Sequence, residues 1–265
     1  MITRDKKACF PKTTVLYFIR KTEDKMRVVI VKNAEELAAK AAEEALEVIR
    51  AKKDAVLGLA TGSTPVGMYK KLIEDHKKNG TSYRLVKAVN LDEYIGLSPE
   101  NDQSYRYFMR KNLFDEIDID LDNTFIENGL AADEKAECAR YDALLRSLPR
   151  DLQVLGIGAN GHIAFNEPGT SFDEETHAVS LTENTIEMNS RFFKSKDEVP
   201  RRAFTMGPKS IMEAKKILIL ASGASKADAV FKTIRGEVTE EVPASILQNH
   251  PNCVLIADEA AASLL

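Results

Sequence analysis

Ala55-Val56-Leu57-Gly58-Leu59-Ala60, followed at once by Thr61-Gly62-Ser63-Thr64-Pro65, decides the fold class of this chain. The first six residues are apolar without alternation, the pattern of a strand buried on both faces. The next five turn the chain into a helix. Gly62 allows a tight bend, Thr64 suits the N-cap, and Pro65 suits the first helical position, where a missing N–H costs nothing. A buried strand that runs straight into a helix is half of a strand–helix–strand crossover.

The same unit recurs on either side. Upstream, Met26 precedes a strand pattern, Arg27-Val28-Val29-Ile30-Val31, and Asn33-Ala34-Glu35-Glu36 forms a capping box. Leu37, Ala41, Ala45 and Val48 then repeat down one helical face. Downstream, Val86–Asn90, Leu152–Gly156, Ile217–Leu220 and Cys253–Ala257 read as further apolar strands. An acidic loop and a helix through Tyr105 and Phe108 follow the first of these, and another helix covers Glu134 to Leu148. Strand–helix alternation of this kind predicts a mainly parallel sheet, right-handed crossovers and helices on both faces. The chain reads as one α/β domain over residues 26–265, without internal repeats. Ligands in such folds sit outside the carboxyl ends of the strands.

Composition narrows the function classes. Apolar residues make up 44% and charged residues 29% of 265, the profile of a globular chain rather than a disordered one. The net charge of −4 disfavours nucleic acid and acidic membranes as partners. Apolar runs such as Ile217 to Ala221 fall far short of the ~20 residues of a membrane-spanning helix. Cys9, Cys138 and Cys253 form neither a disulfide framework nor a metal-ligand pattern, which fits a reduced, cytoplasmic setting. Residues 1–25 carry seven basic and three acidic side chains around a short apolar run, Val15 to Ile19, with no small-residue cleavage site. They read as a dispensable N-terminal extension.

Three strand ends carry the chemistry. At Thr61-Gly62-Ser63-Thr64 the loop N–H groups and hydroxyls converge as in a phosphate-binding turn, although an ordinary capped junction has the same sequence. Asp92 and Glu93 stand directly after a strand, where a partly buried carboxylate can serve as a general base, or where a solvated turn can begin. Their side chains are expected to point to opposite sides, with one facing the site. Gly156-Ile157-Gly158-Ala159-Asn160-Gly161-His162 delivers a histidine from a glycine-rich strand end, with Glu167 five residues on as a carboxylate partner. Arg191, in a polar stretch of about 180–205 read as a mobile helical lid, and Lys226, after a late strand, are candidate phosphate ligands.

Taken together, Leu59-Ala60-Thr61-Gly62-Ser63-Thr64-Pro65, Asn90-Leu91-Asp92-Glu93-Tyr94-Ile95-Gly96-Leu97 and Gly156-Ile157-Gly158-Ala159-Asn160-Gly161-His162-Ile163-Ala164-Phe165-Asn166-Glu167-Pro168-Gly169 resemble the glucosamine-6-phosphate deaminase (isomerase) family. The likeness runs from Met26 to the C-terminus and extends to Asn189-Ser190-Arg191-Phe192-Phe193 and to Ala221-Ser222-Gly223-Ala224-Ser225-Lys226 after the late strand. It implies a single Rossmann-like three-layer α/β domain that acts without metal or cofactor on a small sugar phosphate. D-glucosamine 6-phosphate and water would give D-fructose 6-phosphate and ammonia. By the same resemblance His162 opens the sugar ring, Asp92 moves the proton from C2 to C1, and Thr61, Gly62, Ser63, Thr64, Arg191 and Lys226 hold the phosphate. Some members carry Asp where this chain has Asn160, so the carboxylate role passes to Glu167, with Asn160 orienting His162.

Members activated by N-acetylglucosamine 6-phosphate hold the effector with basic residues at places taken here by His177 and Val179. Together with a C-terminus at Leu265, this predicts little activation. The sequence leaves monomer and homo-oligomer equally open. A 6-phosphogluconolactonase shares the architecture and the Gly-His loop, but the resemblance gives lactonases Arg in place of Tyr94 and no Phe165-Asn166-Glu167-Pro168 run. A non-catalytic sugar-phosphate sensor needs a DNA-binding module, for which 25 leading residues are too few.

Overall fold

The quoted apolar run forms a strand, β3 (Val56–Leu59), buried along its whole length. The computed structural model describes residues 18–20, 26–190, 193 and 195–265. Among these, β3 lies inside a sheet of eight strands. Their order across the sheet is β1 (Phe18–Arg20), β2 (Arg27–Val31), β11 (Cys253–Asp258), β10 (Ile217–Ala221), β7 (Leu152–Gly156), β3, β4 (Lys87–Asn90) and β6 (Thr124–Phe125). Each neighbouring pair is parallel except β1 with β2. Chain order moves outward from β3 to β4 and β6 on one side, and from β7 to β10 and β11 on the other. The crossovers therefore diverge between β3 and β7.

Both faces of the sheet are covered, which is why its strands lack alternation. On one side Leu57, Leu59, Leu218 and Leu220 pack with α1 (Ala34–Ala51), α2 (Ser63–Asn79) and α3 (Tyr105–Asn112). On the other, Val89, Leu155, Ile217 and Ile219 pack with α4 (Glu134–Ser147), α6 (Pro208–Met212) and α7 (Ala227–Arg235). The capping box read at Asn33 is present: its side-chain oxygen accepts the N–H groups of Glu35 and Glu36 at 3.0 Å. Glu36 reaches back one residue further than the motif prescribes, to Lys32 N–H.

Two local readings need correction. Helix α2 starts two residues early, at Ser63, so Gly62 is its N-cap and Thr64 and Pro65 lie in its first turn. Gly62 adopts φ 92°, which completes the turn before Thr64 is reached. Pro65 fits because first-turn N–H groups have no intrahelical acceptor. The second concerns the acidic loop, which is a strand, β5 (Asp92–Tyr94). It joins β9 (Arg202–Thr205) and β8 (His177–Ser180) in a small antiparallel sheet. The stretch 180–205 therefore begins with α5 (Glu183–Ser190) and ends in β9, where Ala203, Phe204 and Thr205 are fully buried framework. Ile186 of α5 packs with Tyr94, Phe165, Leu181 and Val199 in a separate apolar cluster over the small sheet.

Candidate active site

The strand registers gather the sequence motifs at one rim. Leu59 pairs with Asn90 and Leu220 with Gly156, so the segments that follow β3, β4, β7 and β10 leave the sheet at the same edge. Two buried tyrosines fix these ends: Tyr69 donates to Ala60 O and Tyr141 to Asn90 O, both at 2.6 Å.

At the end of β3, helix α2 begins without a side-chain cap, and Gly62 and Ser63 are exposed. Its first N–H groups are thus open to an anion, which the helix dipole favours. The end of β10 supplies Lys226, on a loop held by Asp258. The Asp258 carboxylate accepts from Ser222 Oγ at 2.6 Å, from Gly223 N–H at 3.0 Å and from Ala261 N–H at 2.8 Å. Lys226 is half-buried, and burial holds its ammonium below the ordinary lysine range. Such a cation is ready for an incoming anion. Arg191 lies outside the described residues.

Beyond β4 the two adjacent carboxylates part company. Glu93 accepts N–H bonds from Tyr94 at 2.8 Å, Tyr105 at 2.9 Å and Arg106 at 2.9 Å, and so anchors the N-terminus of α3. Burial nevertheless lifts it to about 7. Asp92 is 6% exposed, and its Oδ1 has no hydrogen-bond partner among the described residues. Burial first, and then the neighbouring Glu93 charge, push the Asp92 carboxyl up to about 8. A carboxylate so poorly compensated is held in readiness for a reaction rather than for stability. The sequence reading left open which member of the pair faces the site, and the bonding separates them.

The histidine loop is shaped by its glycines. Gly158 N–H donates to His162 O at 2.9 Å, and Gly161 takes φ 86°. A Cβ on Gly158 would sit 2.3 Å from the His162 ring, so the imidazole lies against bare backbone. Ala164 follows at φ 52°, an uncommon conformation for a residue with a Cβ. Asn166 then clamps the loop to the end of β9, donating to both Ile163 O and Met206 O at 2.9 Å.

His162 Nδ1 approaches Glu167 Oε2 at 3.4 Å. Asn160 Nδ2 donates to that same oxygen at 2.7 Å, and His162 N–H donates to Asn160 Oδ1 at 3.2 Å. Thr185 donates its hydroxyl to the other oxygen, Oε1, at 2.8 Å. Burial alone would raise Glu167, but the contacts with His162, Asn160 and Thr185 outweigh it and hold the carboxylate down at about 2. Thr205 links this group to Asp92. It is the register partner of Asp92 across β5 and β9, and its hydroxyl accepts Phe165 N–H at 3.1 Å. Sequence reasoning did not single out Thr185 and Thr205. Each is a hydroxyl in a short polar segment, and its significance comes from a partner 18 or 40 residues away.

An open α/β sheet with an uncapped helix start, an imidazole facing a carboxylate, and a second, uncompensated carboxyl at the same rim has the parts of a site for acid–base chemistry. Residues 31–256 match the family model described as glucosamine-6-phosphate isomerases/6-phosphogluconolactonase, and the chain belongs to this family. It is 54% identical over 241 residues to a glucosamine-6-phosphate deaminase of Geobacillus sp. (strain WCH70), covering 91% of this chain and 96% of that one. With a glucosamine-6-phosphate deaminase of Clostridium perfringens it shares 52% identity over 91% of its own length and all of the relative's. Among solved structures, a monomeric glucosamine-6-phosphate deaminase superposes with TM-score 0.88 at 48% identity over 90% of this chain and 99% of that one. The 6-phosphogluconolactonase of Trypanosoma brucei superposes with TM-score 0.74 over 90% and 98% of the two chains, at 22% identity, a likeness of fold.

Proposed function

We propose that this chain converts D-glucosamine 6-phosphate and water to D-fructose 6-phosphate and ammonia. The observation that carries the reading is the pairing of a His162 imidazole facing Glu167 at 3.4 Å, with Asn160 hydrogen-bonded to both residues, with a buried Asp92 at one rim. Relatives that share about half of the sequence over nearly its whole length bear the same activity in their names. Lactonases share the fold at far lower identity.

The chemistry needs two separate proton carriers. His162, oriented by Glu167 and Asn160, moves a proton between the C1 hydroxyl and the ring oxygen, which opens the pyranose. Asp92 then takes the C2 proton from the open-chain sugar and returns it to C1. Water replaces the nitrogen at C2, and ammonia leaves. The start of α2, Thr61 to Thr64, and Lys226, with Arg191, hold the phosphate at the far end and convert binding energy into orientation. The substrate's own C2 ammonium brings a positive charge to Asp92. Binding therefore favours the ionised base that burial disfavours in the free protein.

A coupled assay for fructose 6-phosphate and ammonia tests the reading. The wild-type protein turns over the amino sugar, and Asp92→Asn loses at least about a thousandfold in kcat while KM changes little, because the interaction removed belongs to the transition state. Wild-type protein that leaves the amino sugar intact would refute the assignment. Among the described residues no helix is long and apolar enough to cross a membrane. With the two cysteines among the described residues, Cys138 and Cys253, both free and far apart in sequence, we place the enzyme in the cytoplasm.

A further inference from the structure

Thr185 belongs to α5, not to the strand-end loops, yet its hydroxyl is the sole donor to Glu167 Oε1 among the described residues. The contact ends a short relay. Thr182, just before α5, donates from Oγ1 to Thr185 Oγ1 at 3.0 Å and accepts the N–H of Thr185 at 3.2 Å. Thr185 donates onward at 2.8 Å, and the opposite oxygen of the same carboxylate receives Asn160 and faces His162. Thr185 is buried, as is Ile186 beside it, so the hydroxyl is held in place by packing as well as by Thr182.

The geometry decides what this donor does. A carboxylate turns freely about its last side-chain bond unless both oxygens are fixed. Asn160 alone fixes one oxygen of Glu167, and it leaves rotation about that contact open. The 3.4 Å approach of His162 Nδ1 is too long to fix the plane. We propose that Thr185 is a positioning residue for the ring-opening step: it locks the Glu167 carboxylate plane so that Oε2 stays opposite His162 Nδ1, and it makes the seating of α5 a condition for a correctly oriented imidazole. The proposal rests on the function assigned above and adds a residue that acts through Glu167 without touching the sugar.

The test is a double-mutant cycle on the full-length protein, with activity measured on D-glucosamine 6-phosphate. Thr185→Val keeps the side-chain shape and removes the donor. It lowers kcat by about tenfold to a hundredfold, the worth of one hydrogen bond to a charged acceptor, with KM within about twofold. Thr185→Ser restores the donor and recovers most of the rate. In a Glu167→Gln background, Thr185→Val produces no further loss, because the group it positions is already disabled. A Thr185→Val protein with wild-type kcat overturns the proposal. So does a loss that Ser fails to rescue, or one that multiplies in full with Glu167→Gln, since either marks a general effect on α5. Inactivity of the wild type itself would instead sink the assigned reaction.

Discussion

At the scale of single residues, the carboxyl groups behind the rim control how activity and stability respond to pH. Asp92, at about 8 in the free protein, must lose its proton to act as a base. The profile of kcat/KM against pH, which reports the free enzyme, therefore falls off on its acid side with a midpoint near 8. The kcat profile reports the complex, where the substrate's ammonium faces Asp92, and its acid limb lies at lower pH. Coincident limbs would show that the substrate nitrogen does not reach the base. The same raised value has a cost in stability. The unfolded chain releases this proton near the ordinary carboxylate value, while the folded chain keeps it up to about 8, so folding is progressively penalised as pH rises across that window. Glu127 adds to the penalty, being 2% exposed with no side-chain partner for its carboxyl among the described residues, and burial, with the Asp92 and Glu93 charges, outweighs its own backbone N–H and drives it well above the carboxylate range. Glu127→Gln should thus match wild type in Tm at pH 4 and exceed it by about 5 °C at pH 8.5, a shift of the order expected for one to two kcal/mol in a chain of this size. Equal Tm values at both pH values would show that Glu127 is compensated.

At the scale of elements, short β5 carries two functions on adjacent residues. Its alternation turns Asp92 toward the site and Glu93 toward α3, where Glu93 accepts the N–H groups of Tyr105 and Arg106 while Ser104 Oγ accepts that of Tyr107. Glu93→Gln weakens three charge-assisted bonds, two at the start of α3 and one to Tyr94 N–H in β5, and costs about 2 kcal/mol in urea unfolding. Because α3 seats Tyr105 against Tyr94, the variant also loses activity more than its stability loss explains. The sequence made the first half of this legible. Long apolar strands such as β3, β7 and β10, and helices with capping residues, announce themselves locally. The antiparallel β5–β9–β8 sheet does not. Its strands span three or four residues, and β8 is half-buried with a polar end, so no periodicity accumulates. His162, Glu167 and Asp92 stood out as candidates because each follows a strand end or a glycine turn, and Asn160 only through the family resemblance. Thr185 was not, because its partner is a tertiary one.

At the scale of the whole molecule, the main sheet closes its two sides differently, and the difference bears on residues 1–25. One edge is β6; the other is β1, whose residues Phe18, Ile19 and Arg20 pair antiparallel with Ile30, Val29 and Val28 of β2. β2 is already held on its opposite side by five register partners in β11, and Met26, Val28, Val29 and Val31 are buried. The rim that carries Asp92 and His162 belongs to β4 and β7, several strands away from β1. A chain beginning at Met26 should therefore keep its kcat and KM within about twofold. What it loses is an edge cover. With β1 gone, β2 exposes a row of unpaired backbone groups that invite pairing with a second chain. The truncated protein is expected to unfold a few degrees lower, within the range of about 1–2 kcal/mol for a chain of this size, and to form larger species at high concentration in light scattering. A truncated protein that remains folded but has lost its activity would show that the leading segment reaches the rim, and one that fails to fold would make β1 part of the core.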